Sequence, residues 1–147
     1  MKKVIISFAM LMLACYLNSQ SLVQTMDVRN LTDSVMKDLL LQKYAAAMDR
    51  LKPISHIEAS DLDRVATTFA AQIPSLGPHY GNLVGYDLVW KRQLGTSLLE
   101  LIYLLKFEKK PLKLAFGFYN GGTGWYLLNF DFNDKIDDLH LSSASDP

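Results

Sequence analysis

Turn signals divide residues 84–134 into apolar runs of strand length, and this spacing constrains the fold more than any other feature of the chain. Residues 98–108 are apolar almost throughout, Lys109-Lys110-Pro111 interrupts them, and residues 112–120 resume the pattern. Gly121-Gly122-Thr123-Gly124 interrupts again before residues 125–133. Clustered Gly and Pro between runs rich in Leu, Phe, Tyr and Ile mark strands joined by tight connections. With residues 84–94 as a first strand, the pattern predicts a four-stranded antiparallel meander.

Helical spacing precedes the meander. Thr32 or Asp33 caps a first helix running to about Leu51, in which Val35 and Leu39 alternate with Met36, Leu40, Tyr44, Ala47 and Leu51. Lys52-Pro53 ends it, because a residue before proline is pushed out of the helical region. A second helix begins at Ser60. Leu62, Val65, Ala66, Phe69 and Ile73 form its buried stripe, Leu76-Gly77-Pro78 stops it, and residues 79–85 read as a loop. Helices followed by strands, without βαβ alternation, predict an α+β domain: two N-terminal helices packed on a curved four-stranded antiparallel meander.

The first residues read as a leader. Met1-Lys2-Lys3 is a charged start, residues 4–17 are uncharged and mostly apolar, and Ser19-Gln20-Ser21 offers small residues for cleavage. That layout predicts a secretory signal peptide over 1–21, since the apolar stretch is shorter than the roughly 20 residues a spanning helix needs. A lead-in segment (22–31), a single domain (32–138) and a flexible C-terminal tail (139–147) complete the expected organisation, and the expected location is periplasmic or secreted. Cys15, the single cysteine, falls in the leader, so a cleaved chain has no disulfide, thiolate nucleophile or cysteine-bound metal. Met12-Leu13-Ala14-Cys15 is also similar to a lipobox, with Met and Leu departing from its usual pattern. Lipidation of Cys15 is thus the alternative, and the one route by which the expected chain meets a membrane. Basic and acidic side chains balance at 15 each, and no basic stripe is present, which disfavours nucleic acid as a partner.

Strand register predicts which side chains share a face. If Lys109-Lys110-Pro111 is a three-residue connection, Glu108 faces Leu112 and Glu100 faces Asn120. If Gly121-Gly122-Thr123 is the next, Phe118 faces Tyr126 and Phe116 faces Leu128. One face then collects Leu98, Ile102, Leu104, Leu112, Leu114, Phe116, Phe118, Tyr126, Leu128, Phe130 and Phe132, and the helices are expected to cover it. The opposite face would carry Leu99, Leu101, Tyr103, Leu105 and Phe107 beside Tyr119, Trp125 and Leu127. An apolar outer face of that width predicts an interface, for a homodimer or another protein partner.

Helices before a long meander that closes on Gly124-Trp125-Tyr126-Leu127-Leu128-Asn129-Phe130-Asp131-Phe132 resemble the nuclear transport factor 2-like (cystatin-like α+β) superfamily, in its small secreted bacterial branch. The likeness covers about 100 residues and rests on layout, without a catalytic motif. It implies a sheet wrapped around the helices, a pocket between them, and dimerisation through the outer sheet face. Isomerases, dehydratases, ligand binders and modules without chemistry share that fold, so it does not select an activity.

Glu100 is the residue most open to a chemical reading. It interrupts Leu98-Leu99-Glu100-Leu101-Ile102, and the register above turns it to the helix-covered face, near Asn120 and Tyr86. A carboxylate among apolar groups could act as a general base. The structural reading is a cross-strand ion pair with Lys91 or Arg92. His56 and His79 lie in predicted loops where a pocket mouth could form, His79 could pair with Asp87, and His140 sits in the tail. No metal-ligand spacing is present, and no cofactor motif. The sequence thus favours a non-catalytic secreted or periplasmic module that binds a partner chain, itself or a small apolar ligand. The alternative is a small pocket enzyme of isomerase or dehydratase type with Glu100 as base, assisted by His56, His79 or Tyr86.

Overall fold

The computed structural model describes residues 25–137 and 139. The expected signal peptide, Cys15 and His140 lie outside the described residues, as does all of the tail but residue 139. Helices come first: α1 (Thr25–Leu40), α2 (Tyr44–Leu51), a 3-10 turn (Lys52–Ile54), α3 (Ala59–Ser75) and the short α4 (Gly77–Tyr80). Four strands follow: β1 (Leu83–Leu94), β2 (Leu98–Phe107), β3 (Pro111–Asn120) and β4 (Trp125–Asn133). They form one open antiparallel sheet in the order β1-β2-β3-β4, an α+β arrangement of helices followed by a meander.

Two helix boundaries differ from expectation. α1 spans Thr25–Leu40, so residues 25–31 of the segment read as a lead-in are helical, and Val28 among them is fully buried in the core. The helix expected to reach Leu51 breaks after Leu40. Gln42 takes a positive φ of 58°, and the Lys43 N–H donates to the Asp38 carbonyl at 2.8 Å. Neither Gly nor Pro marks this turn. It folds the stripe back so that Val35, Met36 and Leu39 of α1 and Ala47, Met48 and Leu51 of α2 are all fully buried. The Asp38–Arg50 ion pair, at 2.5 Å, bridges the two helices across the turn. α3 presents the expected stripe, with Leu62, Ala66, Phe69 and Ile73 buried. The loop expected at residues 79–85 begins with the last two residues of α4.

The register corrects the face assignment. β2 and β3 pair as Lys106↔Pro111, Leu105↔Leu112, Tyr103↔Leu114, Leu101↔Phe116 and Leu99↔Phe118. The connection therefore spans residues 107–110, an even number where an odd one was expected, and every β2 side chain changes face. Glu108 is held out of the ladder: its N–H donates to the Asn82 carbonyl at 3.0 Å, and its carboxylate accepts from the Asn82 N–H at 2.9 Å. The outcome also spares Glu100 and Lys106 from burial beneath helices, which would cost far more than a shifted turn.

The helix-covered face thus holds Leu99, Leu101, Tyr103 and Leu105 of β2 with Leu112, Leu114, Phe116 and Phe118 of β3, none more than 7% exposed. Trp125 and Leu127 of β4 join them. Leu99, Leu101, Tyr103, Leu105, Trp125 and Leu127, expected on an outer interface, are core residues; of that set only Tyr119 faces outward, 43% exposed. A register shift between Gly117 and Phe118 adds Leu128 as an extra residue in β4, so Phe130 and Phe132 still turn inward while Leu128 is 51% exposed. Phe69 of α3 meets the Phe132 ring at 4.5 Å, and Phe116 meets Phe130 at 5.0 Å. Each such ring contributes about 1.5–3 kcal/mol through burial.

The two margins of the sheet are treated differently. Ser55 forms a parallel bridge to Leu127, and the His56 N–H donates to the Leu127 carbonyl at 3.0 Å, so β4 has a cover. β1 is broken by register shifts at Val84 and Val89.

Candidate functional site

The outer face is built from side chains that the turns and bulges turn away from the helices. Arg92 of β1 faces Glu100 of β2, which faces Gly117 of β3, which faces Asn129 of β4. Next to this row, Leu94 faces Leu98, and Leu98 faces Tyr119. Arg92, Leu94, Leu98, Glu100, Leu128 and Asn129 line a shallow depression of about 220 Å³. Gly117 forms part of its floor, because the place a Cβ would occupy is filled by the Asn129 amide.

Glu100 is exposed on this face, where the expectation placed it under the helices. The cation expected opposite is there in register, since Arg92 is its cross-strand neighbour. Yet the ion pairs among the described residues include neither Arg92 nor Glu100. One positive and one negative side chain therefore stand next to each other, each open to a third party, with Leu94 half exposed, Leu98 42% exposed and Leu128 beside them.

The remaining candidates are dispersed. His56 sits at the β4 margin with its ring 4.9 Å from Tyr126, and His79 is exposed in α4. Asp87 pairs with Lys106 at 2.9 Å on the outer face, so the expected His79–Asp87 pair does not form. Tyr86 points inward and donates to the Asp33 carbonyl at 3.4 Å. Asn120 ends β3, its N–H on the Ser97 carbonyl and its Oδ1 accepting from the Gly122 N–H, both at 2.8 Å. Glu100, His79 and His56 are not brought together, and among the described residues no cluster of His, Cys, Asp or Glu could hold a metal.

A polar group that the sequence did not reveal lies inside. The Tyr103 hydroxyl donates to Asp33 Oδ1 at 2.7 Å and lies 2.9 Å from Thr32 Oγ1, which also approaches the Val28 and Arg29 carbonyls. Burial pushes the Tyr103 pKa well above the usual tyrosine range; the hydrogen bond with Thr32 opposes this, and the Asp33 carboxylate reinforces it. Tyr103 therefore stays a neutral donor that staples α1 to β2. Its signal was a lone hydroxyl in an apolar run, legible once the correct face was known.

No family model, curated protein or solved structure matches this chain.

Proposed function

We propose that the chain is a non-catalytic module of the cell envelope that docks a second copy of itself through the outer sheet face around Arg92 and Glu100. The observation that carries this is an unpaired Arg–Glu neighbour pair ringed by exposed Leu94, Leu98 and Leu128. A two-fold interface presents the same patch from both copies. A patch holding one cation and one anion side by side is complementary to itself: a half-turn sets each Arg92 against the other copy's Glu100, while the leucines lose contact with water. The charged start and apolar stretch at 4–17 support the envelope location. Helices ahead of a meander support membership of the nuclear transport factor 2-like superfamily. The alternative enzyme reading needs Glu100 in an open cavity, free of a paired cation and assisted by His56, His79 or Tyr86; the depression that Glu100 lines is open, but none of those three residues lines it.

Sedimentation of the purified protein over a range of concentrations tests the reading. The expected result is a reversible dimer that Arg92→Glu or Glu100→Arg each weakens about 30-fold, as for a central contact, and that the double exchange restores. A monomer at every concentration, or a dimer indifferent to all three variants, removes the proposal.

A further inference from the structure

A second depression lies at the same end of the sheet, on the far side of the Leu98–Tyr119 pair, and shares no residue with the first. Its volume is about 310 Å³, and Thr96, Ser97, Tyr119, Asn120, Gly121 and Gly122 line it. We propose that this cleft binds a neutral, hydroxyl-rich ligand of the saccharide class, with Tyr119 as its stacking platform.

The cleft is held open by backbone. The β1–β2 turn and the end of β3 are tied by the Asn120 N–H on the Ser97 carbonyl, and the Asn120 side chain ties the next turn through Gly122. Gly121 lets the Tyr119 ring lie close against this turn, since a Cβ there would come within 3.3 Å of the ring. Tyr119 is the exposed one among the Phe, Tyr and Trp side chains of the described residues. An aromatic face set beside polar groups suits a ring that presents C–H bonds on one side and hydroxyls around its rim, because the ring of Tyr is itself apolar with a polar tip.

Charge narrows the class. None of the six lining residues is ionisable near neutral pH, so a phosphate, a carboxylate or a cation finds no countercharge. The lining offers what a polyol needs, groups that both donate and accept. The hydroxyls of Thr96 and Ser97 make no hydrogen bond within the described protein, and Asn120, with Oδ1 committed to Gly122, keeps its amide Nδ2–H free to donate. The volume is at the lower end of the range for small-molecule sites, about 300–1,000 Å³. An open cleft of that size holds one sugar ring of a longer chain, with the rest in solvent.

Saturation-transfer NMR on the purified protein tests this with chitotetraose, cellotetraose and maltotetraose as probes and inorganic phosphate as the charged control. The expected result is saturable binding of at least one saccharide, with Kd of about 1 mM, and no response to phosphate. Tyr119→Ala should weaken binding about tenfold or more, whereas Tyr119→Phe, which keeps the platform, should stay within about threefold. Ser97→Ala, which leaves the backbone tie intact, should give a smaller loss. Absence of saturable binding to all three saccharides, or equal binding by Tyr119→Ala, overturns the proposal. Glu100→Arg, made to break the self-association, should bind the saccharide unchanged, so the two proposals fail separately.

Discussion

The outer face of the sheet has two halves that differ in how their polar groups are satisfied. Toward the β2–β3 connection, Lys106 pairs with Asp87, Asn133 donates to Asp131 at 2.6 Å, and Lys113 and Ile102 are buried at 9% and 8% exposure. Toward the turns, Arg92 and Glu100 make no pair, and Leu94, Leu98, Tyr119 and Leu128 are each more than 40% exposed. The same four strands supply both halves. The closed half is tied to the rest of the molecule from below by Tyr103 and at its end by Glu108, whereas the turn half is tied only at its β4 margin, where Ser55 and His56 meet Leu127.

The strongest way to break the comparison is to set a core leucine of β2 against an outer one on the same strand, each within two residues of Glu100. Leu101→Asp buries a carboxylate under the helices and should cost about 3 kcal/mol or more. Leu98→Asp, on the outer face, should change urea-unfolding stability by less than about 0.5 kcal/mol while reducing dimer formation. Equal losses would show the two faces to be misassigned.

A smaller effect sharpens it. Tyr103→Phe removes the bonds to Asp33 and Thr32 and leaves the Asp33 carboxylate short of a donor, for a loss of about 1–3 kcal/mol. Amide hydrogen exchange should quicken in α1 and around Leu88 and Tyr103 more than around Arg92 and Glu100. Uniform loosening would mean that the closed half owes nothing to this staple.

The smallest concerns the end of the closed half. Hydrogen bonds from the Asn82 backbone and side chain hold the Glu108 carboxyl below its ordinary range. Its folded pKa is depressed, so its contribution is present above the unfolded value near 4.5 and is lost as pH falls through the folded one. Thermal melts from pH 6 downward should show that loss, and Glu108→Gln should flatten it without altering self-association.

Much of this fold was legible. Gly and Pro placed the turns, and the Leu62–Val65–Ala66–Phe69–Ile73 spacing fixed α3. What failed was parity. One residue in the length of the β2–β3 connection decides which side of β2 is buried, and turn composition does not set that number when Glu108 bonds to Asn82, a residue 26 positions earlier. The charges could have decided it: the odd positions of β2 hold no ionisable carboxylate or amine, while the even ones hold Glu100 and Lys106. The bulge at Leu128 was hidden because Leu127 and Leu128 are both apolar, and the break at Gln42 because neither Gly nor Pro announces it. For the site, Glu100 stood out and Arg92 was found opposite it, but the face they occupy follows from parity and was therefore missed with it.

The margins of the sheet have a bearing on solubility. Exposed strand edges are where chains add to one another without limit. Here Ser55 and His56 occupy one edge, and the bulges at Val84 and Val89 kink the other, beside the exposed Lys91 and Arg92. Strand addition is thereby hindered at both margins, by a bridge at Leu127 on one and by two bulges on the other.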